Sequence, residues 1–320
     1  FALNAAAKRL LRNPRTLMTI YTGDVCTASG YGRLAIACAR ALSSKLTQVR
    51  QGSTLAVADP CDPAGSPIRF TMWESTELPV THTAWKRSKV LIVPSQSCKA
   101  IFRQYTKMPI EVCHLFADAP YAHLPPIRPF KFICIARDNG TPSRKGIDEL
   151  LKWFTQAFPT QADVQLTIKQ SQHCKKRYTY DKRINIIYDD YERAQYHALL
   201  HEHHCGIFLS GAEGWNLPAC ELMAAGRPSI IIPFGGPADF TTASTSWHLP
   251  FKLVTAPSEI YQSTGKVACP IKSGTIRAMQ EAYSDQLLLA EKAISSARAS
   301  HEFTEARFAQ RLRDIVKRYV

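Results

Sequence analysis

The chain has 320 residues, more than a typical single-core domain holds, so two domains are expected. Hydrophobic residues make up 45% and the mean hydropathy is −0.17, which fits a globular chain and excludes a disordered or bilayer-spanning one. An excess of 40 Lys and Arg over 26 Asp and Glu gives +14, which is silent on fold. It points instead to an anionic partner: nucleic acid, an anionic membrane surface or a phosphorylated substrate.

In chain order, FALNAAAKRLLRNPRTL lacks the apolar core and cleavage pattern of a secretory leader. TLMTIYTG (16–23) reads as a strand closed by a glycine, and GYGRLAIACARALSSKL (30–46) as a loop running into a helix. Strands are expected at 53–59, 69–75, 89–95 and 110–116, with a helix at 98–105 between the last two. This alternation predicts a parallel sheet with helices on both faces. LPPIRPF (124–130) breaks it, because three prolines in seven residues continue neither a helix nor a central strand. Domains are therefore expected at 1–126 and 127–320.

The pattern then restarts. Strands are expected at 130–137, 163–169, 183–189, 205–210 and 228–233, helices at 145–158 and 191–203, and a charged, mostly helical tail over 274–320. The expected fold class is α/β: two doubly wound Rossmann-like domains facing across a cleft, with a C-terminal helix. Ligands in such sheets bind beyond the carboxyl ends of the strands.

The 10 cysteines form no CxxC pairs, and Cys38, Cys134 and Cys220 fall in apolar segments, where cysteine acts as a small hydrophobe. A reduced, cytoplasmic setting is expected. HEHHC (201–205) has the residue types of a metal site, but a polar helix end leading into a strand accounts for it more simply.

The densest information lies in EGWNLPACELMAAGRP (213–228). Pro218 suits a first helical turn, where its missing N–H would have had no partner, and Gly226 with Pro228 supplies the stop. Glu213 then precedes a short helix and Glu221 lies on it. Unpaired N–H groups and a partial positive charge at such a helix start favour phosphate. Carboxylates beside it accept sugar or ribose hydroxyls.

In order along the chain, GYGR (30–33), TMWESTELP (71–79), VLIVPS (90–95), RKGIDELLKWFTQAF (144–158) and SGAEGWNLPACELMAAGRPSIIIPFGGPADF (210–240) resemble the motifs of retaining, family 4-like GT-B glycosyltransferases. The likeness extends over both expected domains. It implies an enzyme, a hexosyltransferase working with retention, with a nucleotide-sugar donor, UDP-glucose by default, and no further cofactor. By that resemblance Arg137 and Lys145, with Arg144 as a substitute for either, stabilise charge on the leaving diphosphate. DNGTPS between Arg137 and Lys145 makes that motif longer than the family's. Glu221 takes the ribose hydroxyls, Glu213 with Gly214, Trp215, Asn216 and Leu217 takes donor sugar and phosphate, and Gly30 and Gly32 approach the diphosphate. Tyr188 and Asp189, ending a strand, are candidates for contacts to the base. Glu74 stands where many relatives carry an active-site histidine. It suits a stabiliser of an oxocarbenium-like sugar or a proton acceptor, and equally a helix cap or salt-bridge partner. No DxD-type metal motif stands out, so a metal-independent site is expected.

The acceptor is approached through charge. AWKRSK (84–89) and CKKRYTYDKR (174–183) mix cations with aromatics, so Lys86, Arg87, Lys89, Lys175, Lys176 and Arg177 are candidates for a DNA-binding surface. A hydroxymethylated base in DNA, as for phage-type DNA glycosyltransferases, is the acceptor expected from that distribution, and such a base would be exposed or flipped. The alternatives are a saccharide or lipid-linked acceptor, and a non-catalytic nucleotide- or DNA-binding module. KRLLRNPR (8–15) is too short, and interrupted by Pro14, to insert stably into a membrane. The sequence leaves the oligomeric state open.

Overall fold

A computed structural model describes residues 18–23, 30–49, 53–137, 144–174, 181–262 and 264–320. The chain divides into two compact units: residues 1–116 with 303–320, and residues 117–302.

The first unit is built on β1 (Thr19–Thr22), α1 (Gly30–Ala41), β2 (Lys45–Thr47), β3 (Leu55–Val57), β4 (Ile68–Phe70), β5 (Val90–Val93), α2 (Gln96–Arg103) and β6 (Ile110–Val112). All six strands are parallel, in the order β2-β1-β3-β4-β5-β6. β3, β4 and β5 are buried at every position, as expected for strands covered on both faces. Ser95 caps α2 by accepting from the Cys98 amide at 3.2 Å, and Cys98, Ile101 and Phe102 form its buried stripe.

The second unit contains β7 (Phe130–Ile135), α3 (Ile147–Ala157), β8 (Val164–Gln170), β9 (Ile184–Tyr188), α4 (Arg193–His201), β10 (Cys205–Phe208), α5 (Leu217–Ala224), β11 (Ser229–Ile231) and β12 (Ser246–His248). These six strands are also parallel, in the order β12-β11-β10-β7-β8-β9. An antiparallel pair, β13 (Phe251–Thr255) with β14 (Lys266–Pro270), flanks the one-turn α6 (Ser258–Tyr261). Helices α7 (Lys272–Ser284) and α8 (Gln286–Ser300) follow. α3 shows why the sequence folds locally as it does. Ile147, Leu150, Phe154 and Ala157 form one buried face, and Asp148 and Glu149 sit in the first turn, where the helix dipole favours them. The core beneath is aromatic: the tilted rings of Phe130 and Phe132 lie 4.8 Å apart, and those of Phe154 and Phe158 5.4 Å apart. Truncating Phe154 to Ala removes about 3–5 kcal/mol of such packing.

The last helix, α9 (Glu305–Tyr319), returns to the first unit. Its buried face of Phe308, Leu312, Ile315 and Val316 includes Phe308 against Phe116 at 5.2 Å, and Arg313 donates to the Ala41 carbonyl at 3.2 Å.

Four expectations change. The unit boundary falls at Phe116–Ala117, not at 126/127, and 303–320 belong with the first unit. Arg227 explains the shift. Its fully buried guanidinium donates to the carbonyls of Ala122 and, at 2.9 Å, His123, fastening the stretch before the prolines to the second unit. The expected strand at 69–75 ends at Phe70, leaving Thr71–Ser75 as irregular chain. The helix expected to run on to residue 46 stops at Ala41, and Ser43 adopts a left-handed φ of 49°, which frees Lys45–Thr47 to pair as β2. Gly30 and Gly32 lie inside the first turn of α1 rather than in a loop before it. Among the described residues, no helix is long and apolar enough to cross a membrane.

Candidate active site

A doubly wound sheet opens a crevice where its strand order reverses, at the carboxyl ends of the two strands on either side. In the second unit these are β7 and β10. β7 leads to Arg137 and on to Arg144 and Lys145 before α3; β10 leads to Ser210 and Glu213 before α5.

Lys145 and Glu213 form an ion pair there, their side chains only 16% and 10% exposed. Arg144 donates to the Ala212 carbonyl at 3.1 Å. Burial alone would raise the Glu213 carboxyl, but the charges of Lys145 and Arg144, with hydrogen bonds from Lys145 and Ser210, hold it below its ordinary value. Glu213 is therefore an anion with two cations about it. Arg137 stands exposed just past β7, and the DNGTPS insertion lies outside the described residues.

Glycines make this closeness possible. Gly146 caps α3 with φ 66°, and a Cβ there would stand 2.8 Å from the Leu209 Cβ, so the start of α3 is pressed onto the end of β10. A Cβ on Gly236 would stand 2.3 Å from the Trp215 Cα, and the Gly236 amide donates to the Glu213 carbonyl at 2.8 Å. The GGP loop thus backs the Glu213–Trp215 main chain directly. Trp215 is buried and packs on Phe240 at 4.9 Å. Asn216, at φ 80°, caps α5 by accepting from the Ala219 amide at 3.2 Å; Leu217 opens the helix and Pro218 fills its first turn.

Glu221 is fully buried in the second turn of α5. Its carboxylate accepts from Arg193 at 3.1 Å and from the Tyr196 hydroxyl at 2.7 Å, and Arg193 also pairs with Asp118. Sequence reasoning named Glu221 but missed Arg193 and Tyr196. The only signal was the expected helix at 191–203, whose N-terminal end presents Arg193 and Tyr196 three residues apart. Tyr188 ends edge strand β9 and Asp189 follows it; β8 separates that strand from β7. Asp189 accepts from Lys169 through its carbonyl. It also lines a cavity of about 700 Å³ with Lys131, Thr167, Asn185, Gln195 and His203, a space that Lys145, Glu213 and Glu221 do not line.

The histidines of HEHHC serve the fold. His201 Nε2 lies 2.8 Å from the Pro120 carbonyl, and His203 bridges the Leu199 carbonyl at 2.7 Å and the Thr167 hydroxyl at 2.8 Å. His204 accepts the Lys131 amide at 2.9 Å. Burial lowers His203 to about 4, so it is neutral at physiological pH.

Glu74 belongs to the first unit, half-buried beyond the end of β4. The adjoining chain is fixed on both sides. Tyr31 of α1 accepts the Met72 amide at 3.2 Å, and the Trp73 indole donates to Ser75 Oγ at 2.8 Å. Burial, then Asp59, then more weakly Glu74, push the Tyr31 phenol well above its ordinary value. Lys86, Arg87 and Lys89 are exposed around a 3₁₀ turn at Ala84–Arg87, whereas Lys175, Lys176 and Arg177 lie outside the described residues.

No protein-family model matches the chain, and no curated protein matches it in sequence. Solved structures match its fold. Anabaena HepE in complex with UDP and glucose is 12% identical with a TM-score of 0.65, covering 94% of this chain and 99% of its own. The pneumococcal O-GlcNAc transferase GtfA in complex with UDP and GlcNAc is 13% identical with a TM-score of 0.59, covering 90% of this chain and 60% of its own. TarM is 13% identical with a TM-score of 0.55 over 82% of this chain, which spans only 54% of TarM. At such identities the likeness is one of fold: two parallel six-stranded sheets with flanking helices, the GT-B class.

Proposed function

We propose that this chain is a glycosyltransferase that takes a sugar from a nucleotide diphosphate, with UDP-glucose as the default donor. The observation that carries it is the Lys145–Glu213 pair, with Arg144 beside it, at the crevice between β7 and β10. A leaving diphosphate gains negative charge, and fixed cations in a partly dry site stabilise it. The exposed Arg137 adds a planar fork for phosphate oxygens. Glu213 accepts donor-sugar hydroxyls, and the backbone of Gly214–Leu217 and the start of α5 receive phosphate. The UDP in the HepE and GtfA structures supports a UDP-linked donor. Glu221 meets ribose hydroxyls once Arg193 shifts. Tyr188 and Asp189 contact the base. Gly30 and Gly32 bring α1 close to the donor diphosphate, and Glu74 serves the reacting sugar. Transfer proceeds with retention and without a catalytic metal.

For the acceptor, the +14 charge and the exposed Lys86, Arg87 and Lys89 favour DNA carrying hydroxymethylated bases. Purified protein is to be incubated with UDP-glucose and other nucleotide sugars against hydroxymethylated DNA, unmodified DNA and oligosaccharides. Sugar transfer to the modified DNA, with duplex binding that weakens as salt rises, is the expected result. Transfer to oligosaccharides alone, with no DNA affinity at low salt, rejects the DNA acceptor. Neither transfer nor hydrolysis with any nucleotide sugar rejects the enzyme and leaves a binding module.

A further inference from the structure

The first unit has its own reversal of strand order, between β1 and β3. Beyond the end of β3 the chain carries Asp59 and Cys61, and the segment that follows β4 brings in His82. One ligating atom from each of the three lies within 4.8 Å of the others. We propose that Asp59, Cys61 and His82 bind a single thiophilic divalent cation of the zinc class.

The donor set is specific. Carboxylate, thiolate and imidazole together suit zinc, whereas magnesium and calcium take oxygen. Metal–ligand bonds of about 2.0–2.3 Å place tetrahedral ligands about 3.3–3.8 Å apart, so a small side-chain adjustment closes the triad on an ion. Asp59 and Cys61 already face one another: Asp59 Oδ1 accepts the Cys61 amide at 2.9 Å and its thiol at 2.7 Å. On binding, the thiol proton passes to solvent and the sulfur–metal bond replaces the sulfur–proton bond.

The loop is braced for this role. Arg69, fully buried on β4, donates to the carbonyls of Asp59 at 2.9 Å, Asp62 at 2.9 Å and Ala64 at 2.6 Å. Asp62 is held in turn by the Tyr21 hydroxyl at 2.8 Å. His82 is fixed edge-on to Trp73 at 5.0 Å, with the Thr81 hydroxyl 3.2 Å from its Nδ1. These are the outer contacts that orient first ligands. Cys61 is exposed, while the other described cysteines are buried or half-buried. Three protein ligands leave a fourth position for water. The ion would join the loop after β3 to the segment bearing His82, and through Trp73 steady the chain that carries Glu74.

The test uses the full chain, stripped with chelator and titrated with Co²⁺ alone. One equivalent is expected to bring a near-ultraviolet thiolate-to-cobalt band and visible d–d bands, both abolished by Zn²⁺. Cys61→Ser should lose the thiolate band, and His82→Ala should weaken cobalt binding at least tenfold, both variants keeping the wild-type circular dichroism. Absence of a thiolate–cobalt band in the wild type, or its persistence in Cys61→Ser, overturns the proposal. If either variant misfolds, the wild-type titration and Asp59→Asn, expected to weaken cobalt binding, still decide it.

Discussion

The two units share a parallel six-stranded topology, each with one reversal of strand order, yet the two reversal points carry opposite chemistry. In the second unit the crevice presents Lys145 and Arg144 around a buried Glu213, backed by the main chain of Gly235 and Gly236. In the first, it presents Asp59, Cys61 and His82, with Glu74 beyond the neighbouring strand. One arrangement suits a polyanion; the other suits a cation or a neutral hydroxyl. Topology locates a site, and only the side chains and close backbone contacts there specify its ligand.

The largest effect should come from breaking the cationic side of that contrast. Lys145→Ala is expected to lower transfer by about 10²–10³-fold and to destabilise the second unit by about 3 kcal/mol, because Glu213 loses its main partner inside a nearly closed site. Adding Glu213→Gln should restore most of the stability and none of the transfer, as read by thermal unfolding beside turnover. Transfer surviving in Lys145→Ala would remove the pair from the chemistry.

On the opposite side, Glu74→Gln should cut turnover by about 10²-fold while UDP affinity stays at the wild-type level. A weaker effect is expected from Arg193→Ala. It strips the cationic partner from the buried Glu221 and should reduce stability by about 1–3 kcal/mol, measured by denaturant unfolding. The same change should raise UDP affinity, because it uncovers the Glu221 carboxylate that takes the ribose hydroxyls, and a lowered affinity would reject that role for Glu221. Gly236→Ala should destabilise by a similar 1–3 kcal/mol, since its Cβ meets backbone rather than a side chain able to move.

The smallest effects are pH slopes. Glu213 is depressed in the folded state, so the stability it contributes is full above the ordinary carboxylate range and is lost as pH falls through the lower folded value. His203 is also depressed, to about 4, but from an ordinary value near 6.5. Its contribution is present above that ordinary value and declines between there and about 4. Melting temperatures of wild type, Glu213→Gln and His203→Gln across pH 3–7 should show the histidine slope vanishing at the milder end. The carboxylate slope should vanish only in stronger acid.

Much of this was legible in the sequence because the signals are local. The stripe of Ile147, Leu150 and Phe154 announces α3, and Pro218 with the stop at Gly226 and Pro228 announces α5. The placement of Glu213 before that helix follows from the same run. What the sequence hid depends on distant partners. The prolines at 125, 126 and 129 suggested a boundary there, yet Arg227, more than a hundred residues on, ties Ala122 and His123 into the second unit. The return of α9 rests on Phe308 meeting Phe70 and Phe116, which no periodicity reveals. β13 and β14 were missed because their exposed, mixed positions give neither an apolar run nor clean alternation. Arg193 escaped notice because a single arginine on an expected helix face is indistinguishable from a solvated one until Glu221 is seen beneath it.

The central claim, that a nucleotide-sugar donor seats at the reversal point of the second sheet, is tested most directly by calorimetric titration of UDP. Saturable binding to the wild type, weakened at least tenfold in an Arg144→Ala, Lys145→Ala double variant that keeps its fold, is the result expected. No UDP binding by the wild type, or equal affinity in the double variant, would contradict it.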